Sequence, residues 1–423
     1  PFTLEAISVA HSIPESCSLL IATSIGRVVH TGDWKLENNP VSGPPTNVER
    51  FKAIGAEKGP LALICDSTNV LKEGVSPSER DIAKNLDRLV LEAPRRVAVT
   101  IFASNMGRLI SIAKAAEKAG RQVVLSGRSL HRIANIGREL GLLDGIAPFL
   151  DHDAFKHLPP KKVLLLCTGS QGEARAAIAR ISRDAHPAIS LDAGDRMIFS
   201  SWAIPGNERE VIDIQNRLIE KGVEVITNAT ELVHVTGHPR RDELRQLYSW
   251  LKPAVLVPVH GEAAHLNAHA ELGSSEGIDK VLRARNGDMV RLMPEPDVSK
   301  DEVKAGELYL DADILCTPEQ SGVRGRRRLS FGGMVAVSLC VGSDGNLRSS
   351  PQIFIDGLPE LGGDYEEAGE VVEKAINSVF ASMPNKRRRN ADALGEAIRQ
   401  AVRGELNAWW GKKPNVKIFL HRI

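Results

Sequence analysis

Between residues 76 and 242, short apolar runs alternate with stretches of helical periodicity, and this alternation constrains the fold more than any other feature of the chain. Strands are expected at Arg96–Phe102, Gln122–Leu125, Lys162–Cys167, Arg196–Ser200 and Val223–Ile226. Helices are expected to begin near Met106, Ser129 and Gly172, with another over about Glu208–Lys221. Such an order builds a β/α unit around a mainly parallel sheet. Ser76-Pro77-Ser78-Glu79 has the form of a capping box with proline at the first helical position, and Ile82, Leu86, Leu89 and Val90 supply the apolar face that follows. The loops Ala103-Ser104-Asn105, Thr168-Gly169-Ser170-Gln171-Gly172 and Ile204-Pro205-Gly206-Asn207 precede helices with small, hydroxyl-bearing residues. Free N–H groups there suit a phosphate, and they serve equally as plain helix caps.

The flanks of this unit each place acid/base or ligand side chains at the ends of apolar runs. A strand is expected over Pro1–Val9, with His11 just beyond it. A second apolar run, Cys17–Ile25, turns at Gly26 into Arg27-Val28-Val29-His30-Thr31-Gly32-Asp33, where Gly32 lets the backbone bend so that Asp33 points back toward the sheet end. Pro60–Asn69 reads as a buried strand ending in Asp66, which taken alone is a turn or capping residue before it is a catalytic one. Downstream, Leu232–Glu262 carries His234, His238 and His260 at the ends of short apolar runs, where strands deliver side chains into a cleft. A helix over Asp242–Leu251 and a strand over Ala254–Val259 lie between His238 and His260, and a helix over about Ala263–Leu272 follows. Beyond a Pro-containing charged linker, strands at Met334–Val341, Gln352–Ile355 and Val416–Leu420 with helices near Glu366–Ala381 and Ala391–Ala408 form a separate small α+β domain.

Composition excludes several classes. Lys and Arg number 54 against 53 Asp and Glu, a net charge of +1, so a polyanion would have to be held by local patches and not by a global field. The basic runs Arg324–Arg328 and Lys386–Arg389 are candidates for RNA phosphates, although such runs are usually solvated faces. Apolar runs fall far short of the roughly 20 residues that span a bilayer, so no membrane association is expected and a cytoplasmic location is the default. The five cysteines show no C-x-x-C pair and read as reduced core residues. With 4% aromatic residues, no long base-stacking platform is evident, though a few rings suffice at one site.

His11, Asp33, Asp66, His238 and His260 form one ordered set, found in Ala-His-Ser-Ile-Pro-Glu-Ser, Thr-Gly-Asp-Trp, Cys-Asp-Ser-Thr-Asn, His-Val-Thr-Gly-His and Pro-Val-His-Gly-Glu. The set resembles the later motifs of the metallo-β-lactamase fold with a β-CASP insertion. Phe-Ala-Ser-Asn-Met-Gly-Arg, Thr-Gly-Ser-Gln-Gly-Glu and Ile-Pro-Gly-Asn-Glu narrow the resemblance to the ribonuclease J family, over essentially the whole chain. It implies an α/β fold: a partial αββα sandwich, an inserted β-CASP α/β domain and a C-terminal α+β domain. The domains are expected at 1–75 and 243–300 for the metallo-β-lactamase part, 76–242 for β-CASP, 301–323 for a linker and 324–423 for the C-terminal domain.

The resemblance further implies a two-metal RNA phosphodiesterase, a 5′–3′ exonuclease with endonuclease activity, acting on 5′-monophosphorylated RNA in maturation and decay. The implied cofactors are two divalent ions, zinc first, with manganese or magnesium as alternatives. His11 would bind the first ion, Asp33 bridge both and His260 bind the second, since a carboxylate can reach two cations while neutral imidazoles cap the outer faces. His238 would contact the scissile phosphate or protonate the leaving oxygen, and Asp66 would orient a neighbouring ligand. His234, Val235, Thr236, Gly237 and His238, with Ala103, Ser104 and Asn105 opposite, would hold the RNA 5′ side. Homodimers or homotetramers are implied as well.

One departure stands out: the family's first metal motif, His-x-His-x-Asp-His, lies upstream of the residues matched by His11, and no histidine precedes His11 here. His152 and His157 lie in the insertion with the wrong spacing to replace it. The expectation is an N-terminally truncated chain that is inactive as written, while the full-length protein is a ribonuclease. The alternative is a non-catalytic paralogue serving as an RNA-binding or scaffold subunit; the joint retention of His11, Asp33 and His260 speaks against it.

Overall fold

The computed structural model describes residues 2–59, 61–360 and 366–423; Pro1 and Pro60, the expected first residues of two strands, lie outside them. The chain divides into two units, Pro1–Lys304 and Ala305–Ile423. In the first unit, strands β1 (Thr3–Ser8), β2 (Cys17–Ala22), β3 (Arg27–His30) and β4 (Leu61–Asp66) start one sheet. The chain then builds a second sheet from β5 (Val97–Thr100), β6 (Gln122–Ser126), β7 (Leu150–Asp151), β8 (Val163–Cys167), β9 (Arg196–Phe199) and β10 (Glu224–Ile226). It returns to the first with β11 (Val255–Val259) and β12 (Lys280–Val281). The first sheet runs β1-β2-β3-β4-β11-β12, antiparallel through β3 and parallel beyond it. The second runs β10-β9-β5-β8-β6-β7 and is parallel throughout.

A parallel sheet needs helical crossovers that cover both faces, so its strands become continuous apolar runs. Every residue of β5, β8 and β9 is accordingly buried. Val97, Val99, Leu164, Leu166 and Ile198 face Ile82, Leu86, Leu89, Leu109 and Ile112 on one side. Ala98, Leu165, Met197 and Phe199 face Ile178, Ile181, Ile214 and Leu218 on the other. The first sheet packs Ile7, Val29, Leu63 and Leu256 on Phe51 and Ile54 of helix Val48–Ala56 and on Leu244 and Leu247 of helix Arg241–Leu251.

Local expectations fail in three places. The helix after Ser78 begins at Glu79, with the Ser78 hydroxyl accepting from Arg80 N at 3.1 Å; Ser76 and Pro77 lie outside it, so the capping-box reading does not hold. The helix expected near Gly172 begins only at Ala177, because Gly169 and Gly172 take φ of 114° and 78°, which no right-handed helix admits. The stretch Leu232–Thr236 joins no strand. Among the five free cysteines only Cys65 and Cys167 are core residues; Cys17 is exposed and Cys316 and Cys340 are half-buried.

After a hairpin of β13 (Met289–Arg291) and β14 (Asp297–Ser299), the second unit opens on another, β15 (Tyr309–Asp311) and β16 (Ile314–Cys316), inside the stretch expected as a linker. Its sheet is β17 (Met334–Val341) between β18 (Gln352–Asp356) and β19 (Asn415–Arg422). Val335, Val337, Leu339 and Val341 meet Val372, Ile376, Leu394, Ile398 and Val402 of helices Ala368–Ser382 and Ala391–Trp410. Arg324–Arg328 lie exposed on helix Val323–Gly332, and Lys386–Arg389 are likewise largely exposed. Among the described residues, no helix is long and apolar enough to cross a membrane.

One buried cation joins three parts of the first unit. Arg108, fully buried on helix Met106–Lys118, pairs with both oxygens of Glu79 at 2.9 and 3.0 Å. It also donates to the Ser200 hydroxyl just past β9 and to Val233 O at 2.8 Å. Removing one member of such a pair strands the other charge. Arg108→Ala is therefore expected to lower stability by about 3–5 kcal/mol in denaturant unfolding, and a loss under about 1 kcal/mol would contradict the assignment.

Candidate metal centre

Strands β4 and β11 lie side by side and parallel, with Val259 in register with Asp66. Asp66 therefore ends β4 beside the point where His260 leaves β11. His260 has φ of 58°, a left-handed conformation that costs a non-glycine residue roughly 1–3 kcal/mol. The strands fix this turn from below: Ser67 N donates to Val259 O at 2.9 Å, and a Cβ on Gly261 would lie 3.3 Å from Ser67 Cβ and 2.7 Å from His265 Cβ.

The Asp66 carboxylate is 1% exposed and every contact it makes is specific. His238 Nδ1–H donates to Oδ2 at 2.6 Å, while Thr68 N and Thr68 Oγ1 donate to Oδ1 at 2.9 and 2.6 Å. Oδ1 also lies 3.3 Å from His260 Nδ1. Burial by itself raises the carboxyl pKa, but the His238 contact and the two Thr68 bonds outweigh it and hold the group below the ordinary aspartate value. Asp66 is thus a turn residue and a site residue at once. Its bond to Nδ1 leaves His238 Nε2 as the free ring nitrogen.

Asp33 sits between two imidazoles. Its Oδ2 is 3.8 Å from His11 Nε2 and its Oδ1 is 3.3 Å from His260 Nδ1. Gly32, with φ of 59°, makes the turn that aims it there, and Ser16 Oγ donates to Asp33 O at 3.0 Å. His11 Nδ1–H donates to Gly237 O at 2.9 Å, which leaves Nε2 directed at Asp33. Burial lowers the His11 pKa, assisted by repulsion from His238 against the Gly237 bond that raises it, so the ring is held in the neutral form that ligates metals. The His11 and His238 ring centroids are 5.0 Å apart, and those of His238 and His260 5.4 Å.

Asp33, Asp66, His238 and His260 each offer a ligand atom within 4.8 Å of the others, and His11 adjoins them through Asp33. Imidazoles with one nitrogen anchored by a carbonyl or carboxylate, around a carboxylate whose oxygens diverge, suit a divalent ion of the zinc or manganese type. The donor set fits.

The loop before His238 divides its residues by direction. His234 is 8% exposed and Val235 4%, and Val235 packs in the core of the parallel sheet. His234 Nδ1 has no hydrogen-bond partner among the described residues. Burial, with Arg108 nearby, drives its pKa down to about 3. Thr236 and His238 turn the other way: Asn69 Nδ2 donates to Thr236 Oγ1 at 3.2 Å and to His238 O at 3.1 Å, and Ser76 Oγ donates to His238 O at 2.9 Å. Of the opposite loop, Ser104 is exposed and Ala103 half-buried, while Asn105 is buried and spends its side-chain oxygen on Arg108 N as a helix cap, at 2.9 Å. Asn105 and His11 nevertheless line one small cleft, with Ser42, Lys35 and Glu37.

Thr68, Asn69 and Ser76 support the site without having been singled out in the sequence as site residues. So does a buried relay in which Ser67 Oγ meets His269 Nδ1 at 2.8 Å and Tyr248 Oη meets His269 Nε2. Thr68 and Asn69 stand in the Cys-Asp-Ser-Thr-Asn motif itself, which was the available signal. For His269 the signal was one of two histidines four residues apart within a helix, which carries no direction.

Two outcomes follow from this geometry. A Cβ on Gly237 would lie 2.3 Å from His11 Nδ1, so Gly237→Ala displaces that ring and should weaken divalent-metal binding about 10- to 100-fold in competition with a chromogenic chelator. An unchanged affinity would refute the placement of His11. Because the folded-state pKa of His234 lies below its unfolded value, the unfolded chain takes up the proton first as pH falls. Stability attributable to neutral His234 is complete above pH 6.5 and declines toward about 3. His234→Asn should flatten the pH dependence of the melting temperature across that window, and parallel curves for the two proteins would count against it.

Three family models match: ribonuclease J, beta-CASP domain, over residues 94–218; Zn-dependent metallo-hydrolase RNA specificity domain, over 206–282; and ribonuclease J C-terminal domain, over 321–423. A ribonuclease J from Sinorhizobium meliloti is 48% identical over 423 residues, covering 100% of this chain and 75% of the relative. One from Mycolicibacterium smegmatis is 36% identical over 415 residues, 97% of this chain and 73% of the relative. One from Thermus thermophilus is 35% identical over 391 residues, 92% of this chain and 68% of the relative. The metallo-hydrolase match and the donor set together imply divalent-metal binding. By identity and by coverage, the chain belongs to the ribonuclease J family.

Proposed function

We propose that this protein hydrolyses RNA phosphodiester bonds with the aid of divalent metal, as a 5′–3′ exonuclease that also cuts internally, in RNA maturation and decay. The observation that carries the reading is the Asp33 carboxylate, whose two oxygens face His11 and His260 separately. On this reading His11, Asp33 and His260 would hold two divalent ions, and zinc would suit the donors with manganese or magnesium as alternatives. Bound there, the metal supplies Lewis acidity to the phosphate oxygens and lowers the pKa of the attacking water.

The remaining chemistry falls to side chains. Asp66 holds the proton of His238 on Nδ1 and fixes the ring, so that Nε2, when it carries a proton, can donate to the scissile phosphate or to the leaving 3′ oxygen. Thr236 and the Gly237 backbone border the phosphate, and Ser104 offers a hydroxyl from the opposite loop. His234, Val235 and Asn105, turned inward, shape that edge instead of touching RNA. Ala103 completes the wall on the 5′ side.

We assign residues 1–75 and 243–300 to the metallo-β-lactamase part, 76–242 to β-CASP, 301–323 to a connecting segment and 324–423 to the C-terminal domain. RNA with a 5′ monophosphate is the proposed substrate, a homodimer or homotetramer the proposed assembly, and the cytoplasm the proposed location.

In the protein carrying this chain, the three roles separate by experiment. His260→Ala should abolish cleavage of 5′-monophosphorylated RNA and lower metal content with the circular-dichroism spectrum preserved; near-normal turnover would sink the metal assignment. His238→Ala should keep its metal yet lose at least about 100-fold in rate. If it lost metal instead, His238 would be a ligand and not a proton donor.

A further inference from the structure

Trp202 stands on the loop that follows β9 and is 56% exposed. Its loop is pinned: Gln171 Nε2 donates to Trp202 O at 2.9 Å, and Ile204 N donates to Gln171 Oε1 at 2.7 Å. The backbone that presents the exposed indole is thus fastened before anything binds. Lys72 Nζ lies 4.7 Å from the ring centroid and belongs to the turn that starts at Asp66. Lys72 N donates to Asn69 O at 2.9 Å, and Asn69 is the residue whose amide holds Thr236 and His238 O. Through Lys72 the indole adjoins the turn that supplies Asp66, which Asn69 fastens to the loop that supplies His238.

A second cation stands nearby. Arg240, two residues after His238, is brought toward Lys72 by its neighbour Arg241, whose N donates to Lys72 O at 3.1 Å; burial and the Arg240 charge both lower the lysine pKa. Among the described residues neither Lys72 nor Arg240 has a carboxylate within ion-pair distance, although Arg241 and Arg245 beside them both do. Arg240 Nε is buried with no hydrogen-bond partner. Leu71, on the Asp66 turn, and Ile204, on the Trp202 loop, are 57% and 51% exposed. Two uncompensated cations beside an exposed indole and an apolar rim match the makeup of one nucleotide: a flat base with a π-face, and a phosphate.

We infer that Trp202, Lys72 and Arg240 form a nucleotide subsite for single-stranded RNA at the mouth of the metal centre, with an unpaired base stacked on the indole face away from Lys72 and its phosphate met by Lys72 and Arg240. The subsite rests on the RNA-cleaving reading above and adds to it a way of registering the strand. Stacking is tolerant of sequence because every base has a π-face, so the subsite recognises single-strandedness and not a particular base. A base in a duplex, already stacked on both sides, is refused.

The test uses the protein carrying this chain and a fluorescein-labelled, 5′-monophosphorylated single-stranded oligoribonucleotide, with binding read by anisotropy on the His238→Ala background and cleavage read on the otherwise unaltered protein. Trp202→Ala should raise the oligonucleotide Kd and the KM about 10-fold, with kcat on saturating RNA retained and Trp202→Phe recovering most of the loss. Lys72→Gln should reduce the slope of log Kd against log salt by about one unit. A scan of single abasic residues along the oligonucleotide should find one position at which Trp202→Ala no longer matters. If the unaltered protein cuts RNA while Trp202→Ala binds and cuts it equally well at every position, the subsite is wrong and the exposed indole serves something else, such as a protein partner. A protein that neither binds nor cuts RNA overturns the functional reading and the subsite together.

Discussion

The hydrogen bonds around the Asp66 carboxylate are the contact on which the rest of the site depends. One buried carboxylate ties the end of β4 to the His238 loop, to the Thr68 turn and to the His260 turn. A buried charge is tolerated only when it is fully hydrogen-bonded, and those bonds are what bring three distant parts of the chain together. Asp66 and His238 are 172 residues apart in sequence and Asp66 and His260 are 194. The site is as stable as this convergence.

Behind the convergence stand two devices that keep it in register. The parallel pairing of β4 with β11 sets Asp66 and His260 at one sheet edge, so that a one-residue slip would send one of them to the opposite face. The relay Ser67–His269–Tyr248 ties helices Arg241–Leu251 and Ala263–Ser275 to the residue beside Asp66. His269 is fully buried, and its pKa is driven down to about 4 by that burial, so it holds this place as a neutral ring. Arg108 does for the other sheet what the relay does for the first: it ties Glu79, Ser200 and Val233 around the base of the loop that carries His238.

These supports have a common consequence for the chemistry. The side chains proposed to ligate metal and transfer protons are held by neighbours whose hydrogen bonds are already made, so that binding substrate would demand little reorganisation. The strained φ of His260 belongs to the same scheme, because the strand end, Ser67 and His265 leave the turn little other space. The cations Lys72 and Arg240, by contrast, have no carboxylate within ion-pair distance among the described residues, which suits that part of the surface to a polyanion.

The sequence by itself determined the elements whose cause is local. Continuous apolar runs declared β5, β8 and β9 as strands of a covered parallel sheet, and small residues after apolar runs marked Asp33, Asp66 and His260 as strand-end groups. Where turn chemistry competed with periodicity, the local pattern misled. Glycines at positive φ delayed the helix after β8, and Leu232–Thr236, although apolar enough for a strand, found no strand to pair with.

Only the tertiary structure decided which residues meet. That His234 turns into the core while His238 turns out, that Asp66 serves His238 and His260 together, and that Asn105 spends its side chain on a cap are facts about contacts between segments. A linear pattern carries no information on them, because direction is set by whichever neighbour the fold brings alongside. Trp202 and Lys72 show this most plainly: 130 residues apart in sequence numbering, they become one surface only because β9 and the Asp66 turn end at the same mouth.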